Sequence, residues 1–185
     1  MTTTRGARPW HIVTFVVAAF AVLFQLWIIL DGGGILDSGQ GVGKGELVRR
    51  FFSYFTIQSN VLVAIATWLI IRDQIDSTVF RVLRLASLIG ITVTGIVAYL
   101  LLPPSPDYST NSLLADRLLH IAVPVLAFIG WVVFGPRGRL HLRDVLPSLI
   151  WPVSWLVATL ALGPLVDWYP YPFLNVADLG LIRVL

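Results

Sequence analysis

At 185 residues, with 57% hydrophobic residues, 12% charged residues and a mean hydropathy of +0.83, the chain does not suit a water-soluble globular domain and reads as an integral membrane protein. The pI near 9.7 rests on 13 Lys+Arg against 10 Asp+Glu, which suits loops facing anionic headgroups; no nucleic-acid partner is expected. No cysteine is present, which excludes a disulfide framework, a thiolate nucleophile and a cysteine metal site.

The N-terminal MTTTRGARPW leads into an apolar run longer than a signal-peptide core and without an A-x-A-like cleavage site, so a retained span is expected over Trp10 to Leu30. GQGVGKGE at 39 to 46 contains G-x-x-G-K but lacks the strand, spacing and Ser/Thr of a phosphate loop; it reads as a flexible extracytoplasmic loop. A second span, Phe51 to Ile71, opens on FFSYFTIQSN, which crowds Ser53, Tyr54, Thr56, Gln58, Ser59 and Asn60 into its first turns. A third, Val82 to Leu102, carries Ala86, Gly90, Thr94 and Ala98 at a spacing of four, a small-residue stripe for close helix packing. A fourth runs from Leu113 to Phe134, and a fifth from Val145 to Gly163, where Pro147 and Pro152 are expected to interrupt the hydrogen-bond ladder and bend the helix. WYPYPF at 168 to 173 reads either as an aromatic belt or as an interfacial segment covering a pocket mouth. The closing FLNVADLGLIRVL restarts an apolar pattern too short to cross. The expected fold is all-α: a polytopic transmembrane bundle of five clear spans in a single domain over 1–185, with no oligomeric state assigned.

The basic residues divide by loop parity. Arg5, Arg8, Arg72, Arg81, Arg84, Arg137, Arg139 and Arg143 fall on one side; Lys44, Arg49, Arg50, Arg117 and Arg183 fall on the other. The excess predicts a multi-pass protein of the cell membrane with its N-terminus in the cytoplasm.

Three histidines are available for chemistry. His11 at the edge of span one and His141 in a basic loop need only solvated or headgroup-contacting roles. His120 lies inside a span, where an ionisable group is costly and marks either a functional site or an uncharged imidazole bonded to a neighbouring helix. Parity makes spans two and four start on the same side. At 1.5 Å rise per residue, Thr56 lies roughly 9 Å below Arg50 and His120 roughly 5 to 14 Å below the start of span four, so they share a depth. Thr56, Ser59 and Asn60 occupy one helix face, Asp116 precedes His120 by one turn, and Gln25 emerges at a similar level.

This inventory suits nucleophilic acyl transfer. A hydroxyl needs a base to take its proton, imidazole is the usual one, and a carboxylate one turn away orients it. Amides of Asn60, Gln58 or Gln25 would then stabilise an oxyanion. The competing reading has Thr56 bonded to a carbonyl one turn back and the amides only bridging helices. In that case the protein is a non-catalytic binder of a lipid, small solute or protein partner. A single intramembrane His with one Asp falls short of a metal site, and no cofactor is expected.

RFFSYFTIQSN, RLLHIAVPVLAF and WYPYPFL, in that order, resemble the bacterial branch of the androgen-induced gene one-like and androgen-dependent TFPI-regulating protein membrane family, over most of the chain from about Arg50 onward. The resemblance implies a six-helix membrane hydrolase with a threonine nucleophile matching Thr56 and a histidine matching His120, cleaving fatty acid esters of hydroxy fatty acids. That activity is characteristic of animal members. A sixth helix is absent or cut short here.

Overall fold

The computed structural model describes residues 7–32, 41–102, 104, 108–135 and 141–184, and every regular element among them is helical. Four helices are long and apolar enough to cross a bilayer: Ala7–Leu30, Thr78–Leu101, Thr110–Phe134 and Leu142–Val166. The bent pair Lys44–Ser53 and Phe55–Ile71 supplies a fifth candidate. The protein is an all-α polytopic membrane bundle. Arg5, Arg137, Arg139 and the first residues of GQGVGKGE lie outside the described residues.

Large apolar side chains face outward along each span. Ile12, Val16, Phe20 and Leu23 on the first, Ile96 and Leu100 on the third, and Ile150, Val153 and Val157 on the last are exposed, a distribution that only a lipid solvent makes favourable. Polar groups are inside instead: Thr14, Thr56, Ser59, Asn60, Thr67, Ser87, Thr94 and Ser148 are all buried. Phe55–Ile71 is central, packed between the first and third spans, while only 6% of the last span's apolar window is buried, which leaves it peripheral.

Local chemistry sets the helix ends. Ser77 and Ser109 cap the third and fourth spans by accepting from the N–H groups of Phe80 and Ser112. The last span passes through Pro152 and Pro164 as one helix and stops at Asp167, whose left-handed backbone (φ 47°) turns the chain back toward the bundle. FLNVADLGLIRVL forms short helical turns, Val176–Leu179 and Leu181–Val184.

Two expectations need correction. His11, assigned above to a solvated edge, is 3% exposed and faces the bundle interior. Arg81 and Arg84, counted among the loop charges, are buried as well. Arg81 Nε donates to Asp144 Oδ2 at 2.9 Å, and Arg84 Nη2 donates to the Gly135 carbonyl at 2.6 Å. Together they tie the start of the third span to the end of the fourth and the start of the fifth. A buried guanidinium needs such partners; Arg81 finds a carboxylate and Arg84 a carbonyl, with Arg84 Nη1 left without a partner among the described residues, at the end of the bundle away from Thr56.

The small-residue stripe is buried along its length, at Ala86, Gly90, Thr94 and Ala98. Gly90 is its tightest point: a Cβ there would lie 2.6 Å from Trp151 Cζ3 and 3.0 Å from Ser59 Oγ. Gly90→Ala gains about 1 kcal/mol of helix propensity but drives a methyl into a rigid indole, so a net destabilisation of about 1–3 kcal/mol is expected, read as a lower melting temperature in detergent. An unchanged or raised melting temperature would mean that Trp151 moves aside freely.

Candidate active site

The site begins with a break in the backbone. The helix Lys44–Ser53 ends, Tyr54 adopts an extended conformation (φ −70°, ψ 128°), and the next helix starts at Phe55 after a 70° bend. The sequence pattern runs the second span back to Phe51 as one helix; FFS belongs instead to the preceding amphipathic helix. A break in a membrane bundle strands carbonyls on one side and N–H groups on the other, and each must find a partner. The Phe52 carbonyl accepts from Gln58 Nε2 at 2.8 Å, and the Ser53 carbonyl from Trp155 Nε1 at 2.9 Å. Gln58 Oε1 accepts from Trp151 Nε1 at 2.9 Å. Phe55 stacks on Trp151 with ring centroids 4.8 Å apart. Beyond the break, the Thr56 N–H donates to the hydroxyl of Tyr171 at 3.1 Å.

A second irregularity positions the histidine. Pro124 has no N–H to continue the ladder, and its ring crowds the carbonyl one turn back. Over Leu118–Ala122 the helix widens into a π turn, in which the Val123 N–H reaches back five residues to the Leu118 carbonyl. The Leu119 carbonyl accepts instead from Asn60 Nδ2 at 3.3 Å, and that amide also donates to the Thr56 carbonyl at 2.8 Å. One buried asparagine thus holds the two irregular segments against each other.

Between them runs a continuous hydrogen-bonded chain. His120 Nδ1 lies 2.8 Å from Asp116 Oδ1, His120 Nε2 lies 3.2 Å from Thr56 Oγ1, and Thr56 Oγ1 lies 3.1 Å from the Tyr171 hydroxyl. An ionised carboxylate can only accept, which places a proton on Nδ1. With the imidazole neutral, Nε2 accepts the Thr56 proton, and Thr56 Oγ1 accepts from Tyr171 in turn. The proton order is that of a hydroxyl nucleophile, a base and an orienting carboxylate. Burial pushes the Tyr171 phenol up from its ordinary pKa, which keeps it protonated as a donor.

Two cavities meet at Thr56. One, of about 280 Å³, is lined by Asp116, His120, Gln25, Tyr108, Ser112 and Tyr54. The other, of about 260 Å³, is lined mainly by apolar groups including Ile89, Val93, Val97, Leu156 and Phe173. Thr56, Leu102 and Tyr171 belong to both. The interfacial segment WYPYPF therefore forms part of the wall; Trp168 in it lies under the guanidinium groups of Arg49 and Arg50, 5.4 and 5.2 Å from their Cζ atoms.

Of the residues singled out from sequence, Thr56, His120, Asp116 and Gln25 line the same cavity. The amide of Asn60 bridges helices, and that of Gln58 caps the break on the side of Trp151. Ser59 is fully buried and faces Gly90 on the third span. Tyr171 was not identified from sequence; its separation of 115 residues from Thr56 carries no local signal. Among the described residues no group of three His, Asp or Glu side chains could hold a metal.

Trp155→Phe preserves the ring contact with Phe55 but leaves the Ser53 carbonyl without its donor. It is expected to destabilise the protein by about 1–3 kcal/mol, and a melting temperature equal to wild type would show that another group caps that carbonyl. No family model, curated protein or solved structure matches the chain.

Proposed function

We propose that the protein is an intramembrane hydrolase of lipid esters, with Thr56 as nucleophile, His120 as general base and Asp116 as the group that orients the imidazole. The observation that carries this reading is the 3.2 Å approach of Thr56 Oγ1 to His120 Nε2, with Nδ1 of the same ring 2.8 Å from Asp116, at the junction of a cavity of mixed polar and apolar lining and an apolar one. Thr14 and Thr67, inside their helices, donate to carbonyls one turn back. Thr56 is the second residue of its helix and has no helical carbonyl one turn back, and its hydroxyl lies between His120 Nε2 and the Tyr171 hydroxyl.

In the proposed reaction Thr56 Oγ1 attacks the ester carbon as His120 Nε2 takes its proton, and the carbonyl π electrons move onto oxygen. Collapse breaks the bond to the alcohol, which leaves with the proton from Nε2. Water, activated by the same nitrogen, then attacks the acyl-threonine, releases the fatty acid and returns the proton to Oγ1. The apolar cavity suits the acyl chain, and the cavity of mixed lining, which holds Asp116 and His120, suits the alcohol portion and the water. Fatty acid esters of hydroxy fatty acids, which the motif resemblance implies, fall within this class. With the N-terminus in the cytoplasm the site faces the outer leaflet.

Purified wild type incubated with a panel of lipid esters is expected to release fatty acid, detected by mass spectrometry. Thr56→Ala and His120→Ala are expected to abolish release, Thr56→Ser to retain part of it, and Asp116→Asn to lower kcat on the order of 10²–10⁴-fold. If no ester is turned over and lipid still co-purifies, the polar cluster is a binding site rather than a catalytic one. The lack of native cysteine makes orientation directly measurable. Asp31→Cys is expected to label from outside intact cells with a membrane-impermeant maleimide and Asp73→Cys to be protected; the opposite pattern would invert the topology.

A further inference from the structure

The geometry points to Tyr171 as a further catalytic residue, whose hydroxyl donates a hydrogen bond to the oxyanion formed when Thr56 attacks the ester. This rests on the hydrolase reading above and adds to it the group that stabilises the intermediate's charge.

Several observations converge on that hydroxyl. It lies 3.1 Å from Thr56 Oγ1 and 3.1 Å from Thr56 N. Tyr171 is 6% exposed, and its ring is fixed by stacking on Phe173 at 5.2 Å and by an edge contact with Tyr54 at 5.4 Å. The Thr56 N–H is free to hold the phenol oxygen because the break at Tyr54 removes its helical acceptor; the first helical bond beyond the break is from Gln58 N to the Tyr54 carbonyl. The phenol accepts one hydrogen bond and has one proton to give.

That proton goes to Thr56 Oγ1 in the resting arrangement. After attack, Oγ1 has lost its proton to His120 and shares its electrons with the acyl carbon, while full negative charge appears on the neighbouring oxygen of the same carbon. Rotation about the phenol C–O bond redirects the proton from the weakened acceptor to the stronger one without moving the ring. The proton is shared, not transferred, so Tyr171 ends each half-reaction as it began. Of the amides that could serve instead, Asn60 Nδ2 is held by the Thr56 and Leu119 carbonyls and Gln58 Nε2 by the Phe52 carbonyl; Gln25 lines the same cavity, but Tyr171 is the donor already bonded to Thr56 Oγ1.

The test compares wild type with Tyr171→Phe, using a p-nitrophenyl ester of a medium-chain fatty acid, an alkyl trifluoromethyl ketone that forms a tetrahedral adduct with a nucleophilic hydroxyl, and the matching methyl ketone that does not. The expected result is a fall in kcat on the order of 10²–10³-fold with KM within about twofold, and weaker inhibition by the trifluoromethyl ketone by a similar factor. Inhibition by the methyl ketone is expected to be unchanged, which separates charge stabilisation from lost packing. If wild type cleaves the ester and Tyr171→Phe retains kcat within about twofold, the assignment of Tyr171 falls and the hydrolase reading stands. If wild type neither cleaves the ester nor responds to the trifluoromethyl ketone, both fall together. Should Tyr171→Phe fail to fold, 3-fluorotyrosine at position 171 keeps the shape while making the phenol more acidic: an altered kcat supports the role and an unaltered one overturns it.

Discussion

The interruption of the helix at Tyr54 is the constraint on which the other features of the site depend. Breaking a helix in water is inexpensive because solvent takes the stranded backbone groups, but in a membrane bundle those groups must be met by protein. Two of the three partners come from distant parts of the chain, and the third, Gln58, from the first turns of the helix beyond the break. Trp155 and Gln58 take the carbonyls of Ser53 and Phe52, and Tyr171 takes the Thr56 N–H. Satisfying the backbone therefore gathers the fifth span and the segment after it around Thr56.

The π turn at Leu118–Ala122 is the matching irregularity on the facing helix. Pro124 removes a donor from the ladder, and Asn60 supplies one to the Leu119 carbonyl. The same amide holds the Thr56 carbonyl, so the depth and rotation of Thr56 and His120 are fixed by one side chain bonded to both backbones. Asp116, His120, Thr56 and Tyr171 form one unbroken chain of donors and acceptors, which restricts each of them, while Asn60 Oδ1 beside it has no hydrogen-bond partner among the described residues.

The opposite end of the bundle does different work. Arg81 with Asp144, and Arg84 with the Gly135 carbonyl, tie three spans together. Midway along the third span, Gly90 lets it approach Trp151 and Ser59 closely, and Trp151 links that stripe to the break, since it packs over Gly90 and also bonds Gln58. Close packing at the stripe and correct capping at Tyr54 are consequently linked through one indole.

The sequence alone determined the class and much of the architecture. Long apolar runs admit no other solvent than lipid. The pairing of Thr56 with His120 expected from a shared depth matches their contact, although the bend at Tyr54 means that no straight helix carries the rise from Arg50 to Thr56. The four-residue spacing of Asp116 and His120 foretold a contact on a single helix, because such neighbours share a face. What only the tertiary structure decided is everything that crosses between helices or depends on irregular backbone. The break at Tyr54 lies in FFSYFTIQSN, where no proline or glycine marks it, so the expected span carries the helix straight through from Phe51. The charges of Arg81 and Arg84 look like loop residues until a carboxylate and a carbonyl from other segments are brought to them. Asn60 and Gln58 could have faced the site or its supports, and rotation of the packed helices assigned them to the supports. Tyr171 lies far along the chain in a segment whose composition alone fits an aromatic belt, and it reaches Thr56 because Asp167 turns the chain back after the last span and a stranded N–H is there to receive it.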